Sequence, residues 1–170
     1  QIGMSILATS DNDTGAIKTV IDHMFTFIWE MRETLYPKDT VLNVKNGVSR
    51  AIELSKGSKK PAVVLEHADR MNDSTYVLKN ILKMKHIRSA VPYLWDPEAA
   101  ADAGKVGINN TLTLSIGGKS SNKAGGAIFV NAEVLWTGEP EFPMGGIMGR
   151  GRPVNLGKTA IIQVENVIIW

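Results

Sequence analysis

The apolar positions of this chain change period partway along it. Over residues 15 to 35, Ile17, Val20, Ile21, Met24, Ile28, Met31 and Leu35 recur at helical spacing and predict a long helix ended by Pro37. Phe25, Phe27 and Trp29 widen its apolar surface beyond one face, which reads as a well-buried helix or, alternatively, as a second contact with another domain or subunit. Val44, Val48, Ala51 and Ile52 define a second helix over residues 44 to 55, with Gly57 placed to close it. Asp73-Ser74-Thr75 reads as the start of a third, running to about Lys85 with Val77, Leu78, Ile81 and Leu82 facing in. Asp96-Pro97-Glu98 opens a fourth: a capping acid, proline at the first helical position, then an acid beside the positive helix end, with Gly104 as the stop. Between these helices, residues 2–9, 62–65 and 89–94 read as strands.

After Gly107 the period falls to two. Asn110 to Ile116 alternates Leu and Ile with Thr and Ser, as a half-buried strand does, and residues 127–137, 159–164 and 167–170 are further strands. Residues 117–126 form a loop of Gly, Ser, Lys and Asn. Residues 138–157 carry six glycines and three prolines, too punctuated for regular structure. The expected fold class is α/β: a mixed β-sheet flanked by helices, alternating to about residue 105 and mainly β beyond it. At 170 residues, without an internal repeat or a dividing linker, a single domain is expected. Position 1 is Gln, and the chain stops inside the apolar run Val167-Ile168-Ile169-Trp170. A fragment of a longer polypeptide, cut at both ends, is therefore the expectation.

Composition narrows the function classes. Apolar residues make up 44% and charged residues 21%, ordinary values for a globular protein. The formal charge of +2 is spread along the chain, so no nucleic-acid footprint is visible. No apolar run approaches the ~20 residues of a membrane-spanning helix. The absence of cysteine excludes disulfides and cysteine-ligated zinc and permits a reducing compartment; a cytoplasmic location is the expectation.

Chemistry concentrates in one stretch, from Val63 to Thr75. A β-branched run leads into a polar loop, and the loop ends in a helix start. Asp69 and Asp73 flank that loop at the carboxyl end of the expected strand, where ligands bind in open α/β sheets. Two carboxylates there can accept a proton or hydrogen-bond a polar substrate, and the His67 imidazole is a side chain suited to proton transfer. Asp69, Asp73 and His67 are thus the candidate catalytic residues, and Arg70, Asn72, Ser74 and Thr75 the candidate substrate contacts. Simpler roles compete: Asp73 as a helix cap, Asp69 as a loop brace, His67 as a partly buried structural histidine. His23, His67 and His86 lack a metal-ligand spacing, so no zinc site is expected within this chain. Gly117-Gly118-Lys119-Ser120-Ser121 lacks the phosphate-loop pattern and precedes a strand rather than a helix.

Four segments together resemble a known family. Leu65-Glu66-His67-Ala68-Asp69-Arg70-Met71-Asn72-Asp73-Ser74-Thr75, Leu94-Trp95-Asp96-Pro97-Glu98-Ala99, Ile116-Gly117-Gly118-Lys119 and Leu156-Gly157-Lys158-Thr159-Ala160 are similar, in order and spacing, to the C-terminal domain of the microcystin-degradation (microcystinase C-like) metallopeptidases. The resemblance implies a zinc-dependent amide or peptide hydrolase whose metal ligands lie in a preceding N-terminal domain, with a cleft between the two domains. It also implies that Asp69 and Asp73 face that cleft. Arg70-Met71-Asn72 stands where many members carry a longer glycine- and proline-rich insert, so the cleft and its substrate are expected to differ. A homodimer is a further expectation. The alternative is a non-catalytic domain for small-molecule binding or subunit contact.

Overall fold

A computed structural model describes residues 4–34, 41–67, 69, 71–84 and 87–170. The chain forms two compact units, residues 1–42 and residues 43–170. The first is built on α1 (Thr14–Met31). Asp13 caps it, accepting a hydrogen bond from the Ala16 N–H through its side chain at 2.9 Å. None of the α1 side chains is buried. Ile17, Ile21 and Ile28 are half-buried, while Val20, Met24 and Met31 stay exposed. The predicted stripe therefore exists as helix periodicity without becoming a core. Leu35 and Pro37 lie outside the described residues. The strand expected over residues 2–9 is not present at 4–9: these residues have no ladder partner, and Leu7 is 91% exposed.

The second unit holds α2 (Val44–Ser55), α3 (Tyr76–Leu82), β1 (Ser89–Val91), α4 (Pro97–Val106), β2 (Thr111–Ile116), β3 (Ile128–Gly138), β4 (Glu141–Pro143), β5 (Pro153–Asn155), β6 (Thr159–Val164) and β7 (Val167–Ile169). Five strands form one mixed sheet in the order β1-β7-β6-β3-β2. β1 runs parallel to β7, and the other pairs are antiparallel. The expected mixed α/β architecture, mainly β towards the C-terminus, is the observed one.

Alternation decides which face of the sheet is covered. Leu114 and Ile116 of β2, Val130, Ala132 and Val134 of β3, Ile162 and Val164 of β6, and Val167 and Ile169 of β7 are all buried. They form one cluster with Leu78 of α3 and Ala99 and Ala103 of α4. The alanines let α4 lie close to the sheet, because a larger side chain would hold the two layers apart. The intervening β3 positions, Phe129, Asn131 and Glu133, are exposed, so the sheet is covered on one face. A bulge between Val134 and Trp136 shifts the β3 register against β6.

Several local expectations change in detail. α4 runs past Gly104 and ends at Gly107, whose φ of 84° suits glycine. Gly104 has open space around it and no positive φ, so nothing there stops the helix. The punctuated region 138–157 contains the β4–β5 hairpin, a two-stranded sheet of its own. Residues 62–65 are unpaired and do not form the expected strand. The β-branched run carries strand propensity, but no ladder joins it to β1. β1 itself is shorter than the 89–94 expected.

Candidate functional site: a polar loop over an apolar groove

Residues 66 to 75 join the β-branched run to α3, and each polar side chain in them has a distinct task. Asp73 is 2% exposed. Its Oδ2 accepts from the backbone N–H groups of Lys119 (3.0 Å) and Ser120 (2.8 Å), and its Oδ1 accepts from the Ser120 hydroxyl at 2.8 Å. Its carbonyl accepts from the Gly118 N–H at 2.6 Å. Burial pushes the carboxyl pKa up, but the hydrogen bonds from Ser120 and Lys119 together outweigh it, and the net shift is downward. Asp73 is therefore an ionised clasp on the 117–120 loop, and its acceptors are occupied within the fold. It does not cap α3: the cap position is Thr75, without a side-chain cap bond.

Thr75 is fully buried. Its hydroxyl donates to the Gly126 carbonyl at 2.8 Å, and its N–H donates to the Ala124 carbonyl at 3.0 Å. Lys79 Nζ donates to the Gly125 carbonyl. The two ends of the 117–126 loop are thus tied to Asp73 and Thr75. Glycine is required at the crossing. A Cβ at Gly118 (φ 64°) would penetrate the Gly126 carbonyl, and one at Gly125 (φ 87°) would lie 2.7 Å from Thr75 Oγ1. The Gly-Gly-Lys-Ser segment, which resembles a phosphate loop at first sight, spends its N–H groups on an aspartate of its own chain.

Asp96 repeats the device nearby. Its Oδ1 accepts from the Ala99 N–H at 3.0 Å and caps α4, and its Oδ2 accepts from the Gly117 N–H at 2.8 Å. Lys119 Nζ bridges Asp96 at 2.9 Å and Glu98 at 3.1 Å. Burial pushes the Lys119 pKa down, but its hydrogen bonds to Asp96 and Glu98 win and raise it.

Asp69 is the half-buried acid of the loop. Its Oδ2 accepts from the Ser74 N–H at 2.9 Å and its Oδ1 from the Met71 N–H at 3.2 Å, so it braces the turn. Ser74 Oγ donates to Glu66, a carboxylate not singled out from the sequence. Its signal was available, since a Glu eight residues before a helix-start serine can reach back across a tight loop. Asn72 adopts a left-handed φ of 57°, and its carbonyl accepts from the Trp95 N–H at 2.7 Å. His67 is exposed on a turn, and Arg70 lies outside the described residues.

Glu66, Asp69, Asn72 and Ser74 line one end of a half-open groove of about 580 Å³. The rest of its wall is largely apolar, including Val48 and Ile52 of α2, Val64, Ile81 of α3, and Val91. The loop thus separates its acids: Asp69 borders the groove, while Asp73 is sealed under the 117–120 loop. Among the described residues no three His, Asp or Glu side chains converge as a metal site, so the donors present do not fit a zinc ion. No helix among them is long and apolar enough to cross a membrane.

A mixed α/β sheet, with a glycine-dependent loop clasped by buried Asp73 and half-buried Asp96, defines the class of domain. The chain belongs to the family described as MlrC C-terminus, which matches residues 71–170. The match takes in Asp73-Ser74-Thr75 and the segments at 94–99, 116–119 and 156–160, and it begins after His67 and Asp69. No curated protein matches the chain. Among solved structures, a "putative metallopeptidase" from Mesorhizobium sp. BNC1 is similar, with a TM-score of 0.71 and 19% identity. The alignment covers 94% of this chain and 32% of that one, so this chain spans about a third of the length of the solved relative. At this identity the likeness speaks for the fold.

Proposed function

We propose that this chain is the C-terminal domain of a metal-dependent amide or peptide hydrolase, and that it forms one wall of a cleft. Family membership over residues 71–170 carries the reading. The metallopeptidase description of the solved relative supports it, as does that protein's length, about three times the aligned part. The metal, zinc by the resemblance, is held in this reading by a preceding domain of the same polypeptide. The chain's own contribution is a polar rim. In this reading Asp69 accepts an N–H of the substrate amide, His67 moves a proton, and Asn72, Ser74 and Arg70 orient the chain being cleaved. Asp73 and Thr75 hold that rim in shape, in keeping with their burial. The shortened Arg70-Met71-Asn72 segment leaves the groove as the natural receptor for an apolar side chain of the substrate.

The test uses the protein together with its preceding domain, assayed against a panel of peptides and amides. Asp69→Asn is expected to lower kcat about 10- to 100-fold while metal content and thermal midpoint stay unchanged. Turnover equal to that of the unaltered protein would remove Asp69 from the reaction.

A second reading, a domain for subunit contact, is favoured by α1. Phe25 and Trp29 stack with ring centroids 6.2 Å apart, the Arg32 guanidinium lies 4.5 Å from the Trp29 ring centre, and both rings are exposed. If this surface mediates a homodimer, Trp29→Ala shifts the sedimentation coefficient to the monomer value while leaving hydrolysis intact.

A further inference from the structure

Residues 62–65 have strand composition but no ladder partner among the described residues. Val63 is 87%, Leu65 81% and Val64 40% exposed, and all three border the groove. An exposed, unpaired β-branched run is costly in two ways: apolar surface meets water, and its backbone groups lack a ladder. Residues 87–94, which include β1, border the same groove. Among the described residues β1 is an end strand of the sheet, paired with β7 alone. Its register shows which groups are spare. Ser89 N–H donates to the Asn166 carbonyl, and the Trp170 N–H donates to the Val91 carbonyl. Ser89 and Val91 therefore turn their backbone groups to β7, and Ala90 presents its N–H and C=O to the open edge.

We propose that residues 62–65 close onto this edge as a sixth strand, parallel to β1, converting the open groove into a closed α/β layer. The connection has the required form. From residue 65 the chain passes through α3 and returns to β1, which is a strand–helix–strand crossover, right-handed in nearly all proteins. α3 already packs its Leu78 into the sheet's core, so the crossover helix is in place before the strand arrives. Closure narrows the groove and carries Glu66 to the carboxyl end of a paired strand, tightening the Glu66–Asp69–Ser74 rim. The proposal stands on backbone pairing and is independent of the hydrolase reading.

Hydrogen exchange on the whole chain tests it. The closed strand predicts that backbone amides within 63–65 exchange at least about 100-fold more slowly than an unstructured segment of the same sequence. Ala90→Pro should abolish that protection while leaving β6 and β7 amides protected, because the Ala90 N–H faces away from β7 and an outward-facing edge position tolerates proline. Unprotected amides at 63–65 in the unaltered chain would overturn the proposal. So would protection that survives Ala90→Pro, or protection that rises with protein concentration, which would assign the edge to a second copy. The chain has no cysteine, so a Val64→Cys, Val91→Cys pair adds a clean check: a disulfide formed under mild oxidation supports closure.

Discussion

Asp73 shows how one side chain's surroundings decide its chemistry. A carboxylate among the acids of a polar loop suggests proton transfer; the same carboxylate accepting three hydrogen bonds beneath a neighbouring loop is a structural anion. Asp73→Ala leaves two backbone N–H groups and a hydroxyl without their acceptor, and should cost about 2–4 kcal/mol in urea unfolding. The pH dependence follows from the lowered folded-state pKa. The stabilisation is fully present above the unfolded-state value and is lost as pH falls through the folded one. The stability gap between the unaltered protein and Asp73→Asn should therefore be constant near neutrality and shrink only below about pH 4. A gap that stays constant into strong acid would show that the carboxylate is not ionised in the fold. The glycines make a matched pair. Gly157→Ala meets no atom and bears only the strain of φ 69°, about 1 kcal/mol, whereas Gly118→Ala also collides with the Gly126 carbonyl and should cost about 3 kcal/mol or more. Equal thermal midpoints for the two variants would disprove the close crossing of the loop ends.

At the scale of elements, α4 is the best anchored. Asp96 caps its first turn, holds the Gly117 N–H and pairs with Lys119, so one residue fixes a helix, a strand end and a loop. Asp96→Ala should cost about 2–3 kcal/mol, more than a cap alone, because a cation and a backbone donor lose their partner together. Asp102, whose pKa is lowered by its hydrogen bond to Lys105, is exposed on the same helix. Its removal should leave the thermal midpoint unchanged, since exposed pairs of this kind contribute little. If the two substitutions prove equivalent, the Asp96 network has been overvalued. Helix α2 was legible from its apolar stripe and Gly57, and the start of α4 from Asp96 and Pro97, because these cues are local; the end of α4 was not, since the helix runs past Gly104 to Gly107. The run at 62–65 reads as a strand from its β-branched residues but is unpaired in the fold, because pairing depends on whether a neighbour's edge is within reach.

Across the whole molecule, the buried core cluster comes entirely from residues 78–169. The second unit should accordingly fold without the first. A chain of residues 43–170 is expected to keep cooperative urea unfolding and slow amide exchange in β3 and β6; a non-cooperative transition would show that residues 1–42 supply missing core. Periodicity, caps and the switch from helical to alternating spacing near Gly107 are properties of neighbouring residues, and the sequence alone determined them, along with the family resemblance that the match over 71–170 bears out. Tertiary structure alone decided three things: that the long stripe of α1 finds no core, that Asp69 borders a groove while Asp73 is sealed, and that the glycine loop clasps an aspartate. Each depends on groups far apart along the chain meeting in space. Asp73 and Ser120, for instance, are 47 positions apart, and no local pattern encodes their approach.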